Sequence, residues 1–203
     1  MKKIVLSLFV IIAMTTVQAN AFDLMSALKF WDRASAQQTA EAQTAKTLAD
    51  VEKQMTTIDK SVQDAFLNIV SELSTRKEEK TIKSNLKVQT ITDVINAYTN
   101  TLANNKNNFV NTVKKLSTKE KTTLANNIAA LSEGGQQYLL LATDGIKAAT
   151  NELKSSQKLS EFATAVNNVN NVANQLKSRA TTVINLANQM KTIAANGGVA
   201  VQQ

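Results

Sequence analysis

The chain has no cysteine, no histidine and no proline, only five glycines, and 4% aromatic residues. Each absence removes a class of structure or chemistry. Without cysteine there is no disulfide, no thiolate nucleophile and no thiolate metal site, so packing alone must carry stability. Without histidine there is no imidazole base, no ordinary zinc or copper centre, and no di-iron bundle of the Glu-x-x-His type. The missing prolines and scarce glycines argue against a β-rich or loop-rich protein. Turns fall instead to Ser, Thr and Asn, whose short polar side chains cap helix starts. With so few aromatics, Leu, Ile, Val and Ala must fill the core.

Little remains for catalysis. No glycine-rich phosphate loop of either common pattern is present. With histidine absent, no obvious general base stands beside any of the many Ser and Thr residues in the sequence, and the adjacent Glu78 and Glu79 open a charged helix start, where they offset the helix dipole. These features predict a protein that is not an enzyme and holds no metal or cofactor.

The amino terminus has the form of an export signal. Lys2 and Lys3 are a positive leader, Ile4 to Met14 an apolar run, and Ala19-Asn20-Ala21 a small-x-small cleavage pattern. The run is short for a membrane span. No cysteine follows it, which excludes a lipoprotein anchor. Residues 1–21 are therefore expected to be a cleavable signal peptide on a bacterium-like route, with a mature periplasmic or secreted chain beginning at Phe22. The formal net charge is +7, of which Lys2 and Lys3 supply two units.

What is plentiful is helical periodicity. Leu159, Phe162, Val166, Val169, Ala173, Leu176, Ala180, Val183, Ala187, Met190 and Ala194 recur three then four residues apart, the seam of one long helix. Ala165, Val172, Leu186 and Ile193 widen that stripe beyond the need of a two-stranded coiled coil, while Asn167, Asn168, Asn171, Asn174, Asn185 and Asn188 occupy the opposite, solvated face. A second seam runs through Leu48, Val51, Met55, Ile58 and Val62 and continues through Phe66, Ile69 and Leu73. A third runs through Val88, Ile91, Ile95, Tyr98, Leu102, Asn105, Phe109 and Leu116. Asn105 reads either as a buried, register-setting amide or, beside Asn104, Asn107 and Asn108, as a break. Leu124, Ile128, Leu131, Gly135, Tyr138, Ala142, Gly145 and Ala149 form a fourth, expected to continue through Gly134-Gly135.

Capping boxes at Ser35…Gln38, Thr75…Glu78 and Ser117…Glu120 punctuate these seams, with a weaker boundary near Ser155-Ser156 and a glycine stop at Asn196-Gly197-Gly198. The expected fold is all-α: an elongated up-and-down bundle of about four long helices, each about 50–60 Å. A helical hairpin that dimerises is the alternative. A short amphipathic helix over residues 22–34 precedes the bundle domain, residues 35–198, and residues 199–203 are expected to be a disordered tail.

Three features could carry function. Phe22, Leu24, Met25, Leu28, Phe30 and Trp31 crowd into ten residues, as a lid on the bundle or an anchor for a membrane interface or partner groove. Arg76, Lys77, Lys80, Lys83 and Lys87 cluster, and in an up-and-down bundle Lys154 and Lys158 would share their pole. Residues 77–121 hold nine lysines against four acids. Such a pole suits an anionic lipid or glycan surface. Nucleic acid is not expected, because aromatics do not interleave with the lysines. Finally, Tyr138, Leu139, Leu140 and Leu141 cover the whole circumference of a helix, either as crowded core or as a membrane-active segment.

The resulting expectation is an exported, non-enzymatic helical interaction protein of the envelope, a secretion apparatus or a surface, with a protein partner there or on a host. The alternatives are a membrane-active, pore-forming type of helical protein or a periplasmic chaperone or carrier. Homo-oligomerisation stays open at this level.

Overall fold

Regular structure among the described residues is helical throughout, with no strand. The computed structural model describes residues 48–155 and 159–200. The helices are α1 (Leu48–Leu73), α2 (Arg76–Asn85), α3 (Ile91–Asn104), α4 (Lys106–Lys115), α5 (Thr118–Ser155) and α6 (Leu159–Asn196). The proposed signal peptide, the 22–34 segment and the Ser35 cap lie outside the described residues.

Local signals set most helix ends. Thr75 caps α2 as a full capping box: its Oγ1 accepts from the Glu78 amide at 3.3 Å, and Glu78 Oε2 accepts from the Thr75 amide at 2.8 Å. Ser117 and Glu120 make the same reciprocal pair at the start of α5, at 3.3 and 2.7 Å. At the far end of α6, Gly198 takes φ +81°. Its amide donates to the Ala195 carbonyl and that of Val199 to Ala194, the two bonds of a Schellman motif. Val199, assigned above to a disordered tail, is 7% exposed and closes that motif. The correction is physical: an apolar residue after a left-handed glycine packs back onto the last helical turn.

Among the described residues, the four similar helices expected from the heptads give way to three long and three short ones. Residues 76–115 do not form one helix. Thr90 is extended at φ −69°, ψ 153°, and its Oγ1 accepts from the Asp93 amide at 3.2 Å, so a new helix starts there. Val88, placed on a seam above, is 82% exposed in the turn before that cap. Asn105 is exposed rather than a core amide, and its φ of −123° breaks the backbone between α3 and α4. Its Nδ2 donates to the Thr101 carbonyl at 3.1 Å, the local bond that lets asparagine end a helix.

The long helices pack as the seams require. Phe66, Ile69, Leu124, Ile128, Leu131, Leu176, Leu186 and Met190 are fully buried. In α6 both the seam (Ala180, Val183, Ala187) and the flanking column (Leu186, Ile193) are inside, while Asn167, Asn171, Asn174, Asn185 and Asn188 are exposed. α1 and α5 are antiparallel: Asn68 pairs with Asn127, Val62 meets Gly134, Asp59 meets Tyr138 and Val51 meets Gly145. α6 runs antiparallel to α5, with Ile184 on Gly135 and Val172 beside Gly145.

α5 continues unbroken through Gly134-Gly135, as expected. These glycines admit both neighbours. A Cβ on Gly134 would stand 2.4 Å from Val62 Cγ2, and one on Gly135 2.6 Å from Ile184 Cγ1. Mid-helix Gly→Ala ordinarily stabilises by about 1 kcal/mol, whereas overpacking costs about 1–3 kcal/mol. Val62 is β-branched and stiff at χ1 in a helix, so it cannot swing away cheaply. Gly134→Ala is therefore expected to destabilise by about 1 kcal/mol in urea denaturation. Val62→Ala should cost less in that background than in the wild type. A Gly134→Ala protein more stable than wild type would contradict this contact.

Candidate functional site

The topology decides which charged residues meet. α1 ends where α5 begins: Glu72 and Glu120 lie close enough that the charge of Glu120, after burial, helps push the Glu72 carboxyl above its usual range. α4 returns to this same end, with Val113 against Gly197 and Lys121 Nζ near Gly198. Residues 74–117 thus leave and rejoin the bundle at one end. An up-and-down path would have taken them to the other.

At this end α2 carries no buried residue. It rests on the core through Ile82 and Leu86, both partly buried. Arg76, Lys80, Lys83 and Lys87, spaced four, three and four apart, form one stripe beside that contact and line an open depression with Glu79 and Ser84. Lys77 is exposed on the next face. Lys114 and Lys115 close α4 and Lys119 opens α5, all exposed, with Lys121 half-buried. Part of this charge complements the α4 carbonyl terminus.

Three of the carboxylates here, Glu78, Glu79 and Glu120, are already engaged. Glu78 sits below the usual glutamate range, first because the Thr75 backbone donates to it and then because the Thr75 hydroxyl does. Glu120 is lowered likewise, by the Ser117 side chain and then its backbone. Glu79 holds Lys83 at 2.6 Å. Glu78, Glu79 and Glu120 are bound up in local pairs, half-buried Glu72 is not, and most of the lysines face solvent.

Lys154 does not join this pole. It lies near the end of α5, which starts at the lysine-rich end and is 38 residues long, so it is about 50 Å away. Lys158 and the aromatic segment Phe22, Leu24, Met25, Leu28, Phe30 and Trp31 lie outside the described residues. In the 138–141 run, Tyr138 is fully buried, Leu141 3% exposed, Leu139 half-buried and Leu140 56% exposed. Among the described residues no helix is long and apolar enough to cross a membrane.

One cluster is invisible to sequence reasoning. Asp59 on α1, Tyr138 on α5 and Arg179 on α6 meet at a single oxygen: Tyr138 donates to Asp59 Oδ1 at 2.5 Å, and Arg179 Nη1 forms an ion pair with the same atom. Burial first, then the bond to Asp59, raise the Tyr138 phenol above its ordinary range. No described buried side-chain polar atom lacks a partner. The cluster ties three helices together, its members meeting one another across the helices. No spacing rule joins residues so far apart in the chain.

Comparison with known proteins finds no matching family model, no matching curated protein and no matching solved structure.

Proposed function

We propose that this is an exported, non-enzymatic helical interaction protein, a component of the envelope, of a secretion apparatus or of a surface. Its bundle has α1, α5 and α6 as three walls and α3 with α4 as a fourth, and it engages an anionic partner through its lysine-rich end. The leader at residues 1–21 supports the export part. The binding part rests on one observation: Arg76, Lys77, Lys80, Lys83 and Lys87 share an end with Lys114, Lys115, Lys119 and Lys121, while Glu78 and Glu120 there are held in caps and Glu79 in a local ion pair.

Heparin, used purely as a soluble polyanion, tests that charge. The triple variant Lys77→Glu, Lys80→Glu, Lys87→Glu is expected to elute from immobilised heparin at clearly lower salt than wild type. The variant Lys53→Glu, Lys60→Glu, Lys177→Glu makes the same net change at exposed positions elsewhere on α1 and α6. It should elute close to wild type, because exposed charges more than about 10 Å away are screened. Equal losses in both variants would show that net charge, not a pole, governs binding.

A further inference from the structure

We propose that the partner of the lysine-rich end is the surface of an anionic bilayer, which the protein meets end-on through α2 and the α4–α5 turn. This rests on the charge-pole reading above and names its ligand. Four observations select a headgroup surface over a shaped polyanion. The cations belong to one helix with no buried residue and to a turn, and among the described residues the depression is lined by α2 and Lys87 alone, without an opposing wall. Seven of the eight exposed cations at this end, and half-buried Lys121 besides, are lysines, which act as mobile point charges; Arg76 alone offers the planar fork that clamps a phosphate in fixed geometry. No aromatic residue occurs in α2, so nothing there can stack on a base or a sugar. And Val88, directly after Lys87, is 82% exposed, an apolar contact at the edge of the stripe.

The interaction is electrostatic and superficial. Each lysine near an anionic leaflet adds to the attraction, and the sum fades within a Debye length as salt rises. The two lysine groups should contribute independently, because both reach the same plane. Lys154 should contribute nothing, being at the other end of α5.

Co-sedimentation of the full chain with vesicles provides the test. Vesicles of phosphatidylcholine with about 30% phosphatidylglycerol are expected to bind the wild type, phosphatidylcholine alone should not, and binding should fall steeply with added salt. Both Lys77→Glu, Lys80→Glu, Lys87→Glu and Lys114→Glu, Lys115→Glu, Lys119→Glu should weaken it by about tenfold or more. Lys53→Glu, Lys60→Glu, Lys177→Glu should leave it within about twofold. Circular dichroism confirms that each variant keeps its helix content, and Lys→Gln versions replace any that does not. Retention on heparin without vesicle binding overturns the bilayer assignment and leaves the charge pole standing. Loss of both overturns both. Equal binding to phosphatidylcholine alone, or equal loss in the distant variant, also overturns the proposal.

Discussion

Replacing Phe66 with Ala is expected to destabilise the bundle by about 4 kcal/mol and to lower its Tm by roughly 10 °C. Phe66 is fully buried on α1 and meets Tyr98 of α3 edge-on, with ring centroids 5.3 Å apart at 78°. Tyr98 in turn meets Phe109 of α4 at 6.1 Å and 74°. Three of the chain's few aromatics therefore form one continuous contact from the long helices to the short pair. The Tyr98 hydroxyl lies 3.3 Å from Ser74 Oγ, and burial pushes its phenol up to about 12. Truncating Phe66 removes the link in this row that belongs to a long helix, and the void has Tyr98 on one side. Phe66→Leu, which refills most of the volume, should lose less than half as much. A loss below about 1 kcal/mol for Phe66→Ala in thermal or urea denaturation would mean that α3 does not depend on this contact.

Leu141→Gln should cost about 3–4 kcal/mol, whereas Leu140→Gln, one residue away, should cost less than about 0.5 kcal/mol. Leu141 is 3% exposed and lies on the same face of α5 as Tyr138, one turn back. A glutamine there loses the leucine's transfer energy and also buries an amide with no partner built for it. Leu140 is 56% exposed and already half in water. The contrast bears on the membrane-active alternative. A segment that leaves the bundle must give up the burial of Tyr138 and Leu141 together with the Asp59 and Arg179 contacts. If the two glutamine variants prove equally stable, this face of α5 is not core and release becomes inexpensive.

Several elements were legible from the chain alone, and the reason is locality. The boxes at Thr75–Glu78 and Ser117–Glu120 close within three residues, and the stop at Gly197-Gly198 within a turn of α6. The buried stripe of α6, flanking column included, follows from which residues share a side of a helix. The Thr90 cap was legible in principle, since Thr90…Asp93 matches the same pattern with a shorter acid, but the heptads running past it masked the break. The Asn-rich stretch at 104–108 offered a core amide and a helix end at once. The exposed, broken backbone of Asn105 favours the end, because an asparagine that can bond its own helix's carbonyl needs no partner in the core.

By itself, then, the sequence determined the class of fold, the long amphipathic seams and their caps. All of these depend on contacts three or four residues apart. The tertiary structure alone decided that residues 74–117 double back to the end they left. That places Lys114, Lys115, Lys119 and Lys121, and not Lys154, at the same end of the bundle as Arg76. It also brought Asp59, Tyr138 and Arg179 to one oxygen. Periodicity says which side of a helix is apolar, but it carries no information about the direction in which the next helix runs. Here that direction follows from two turns and from what Phe66 and Val113 find to pack against.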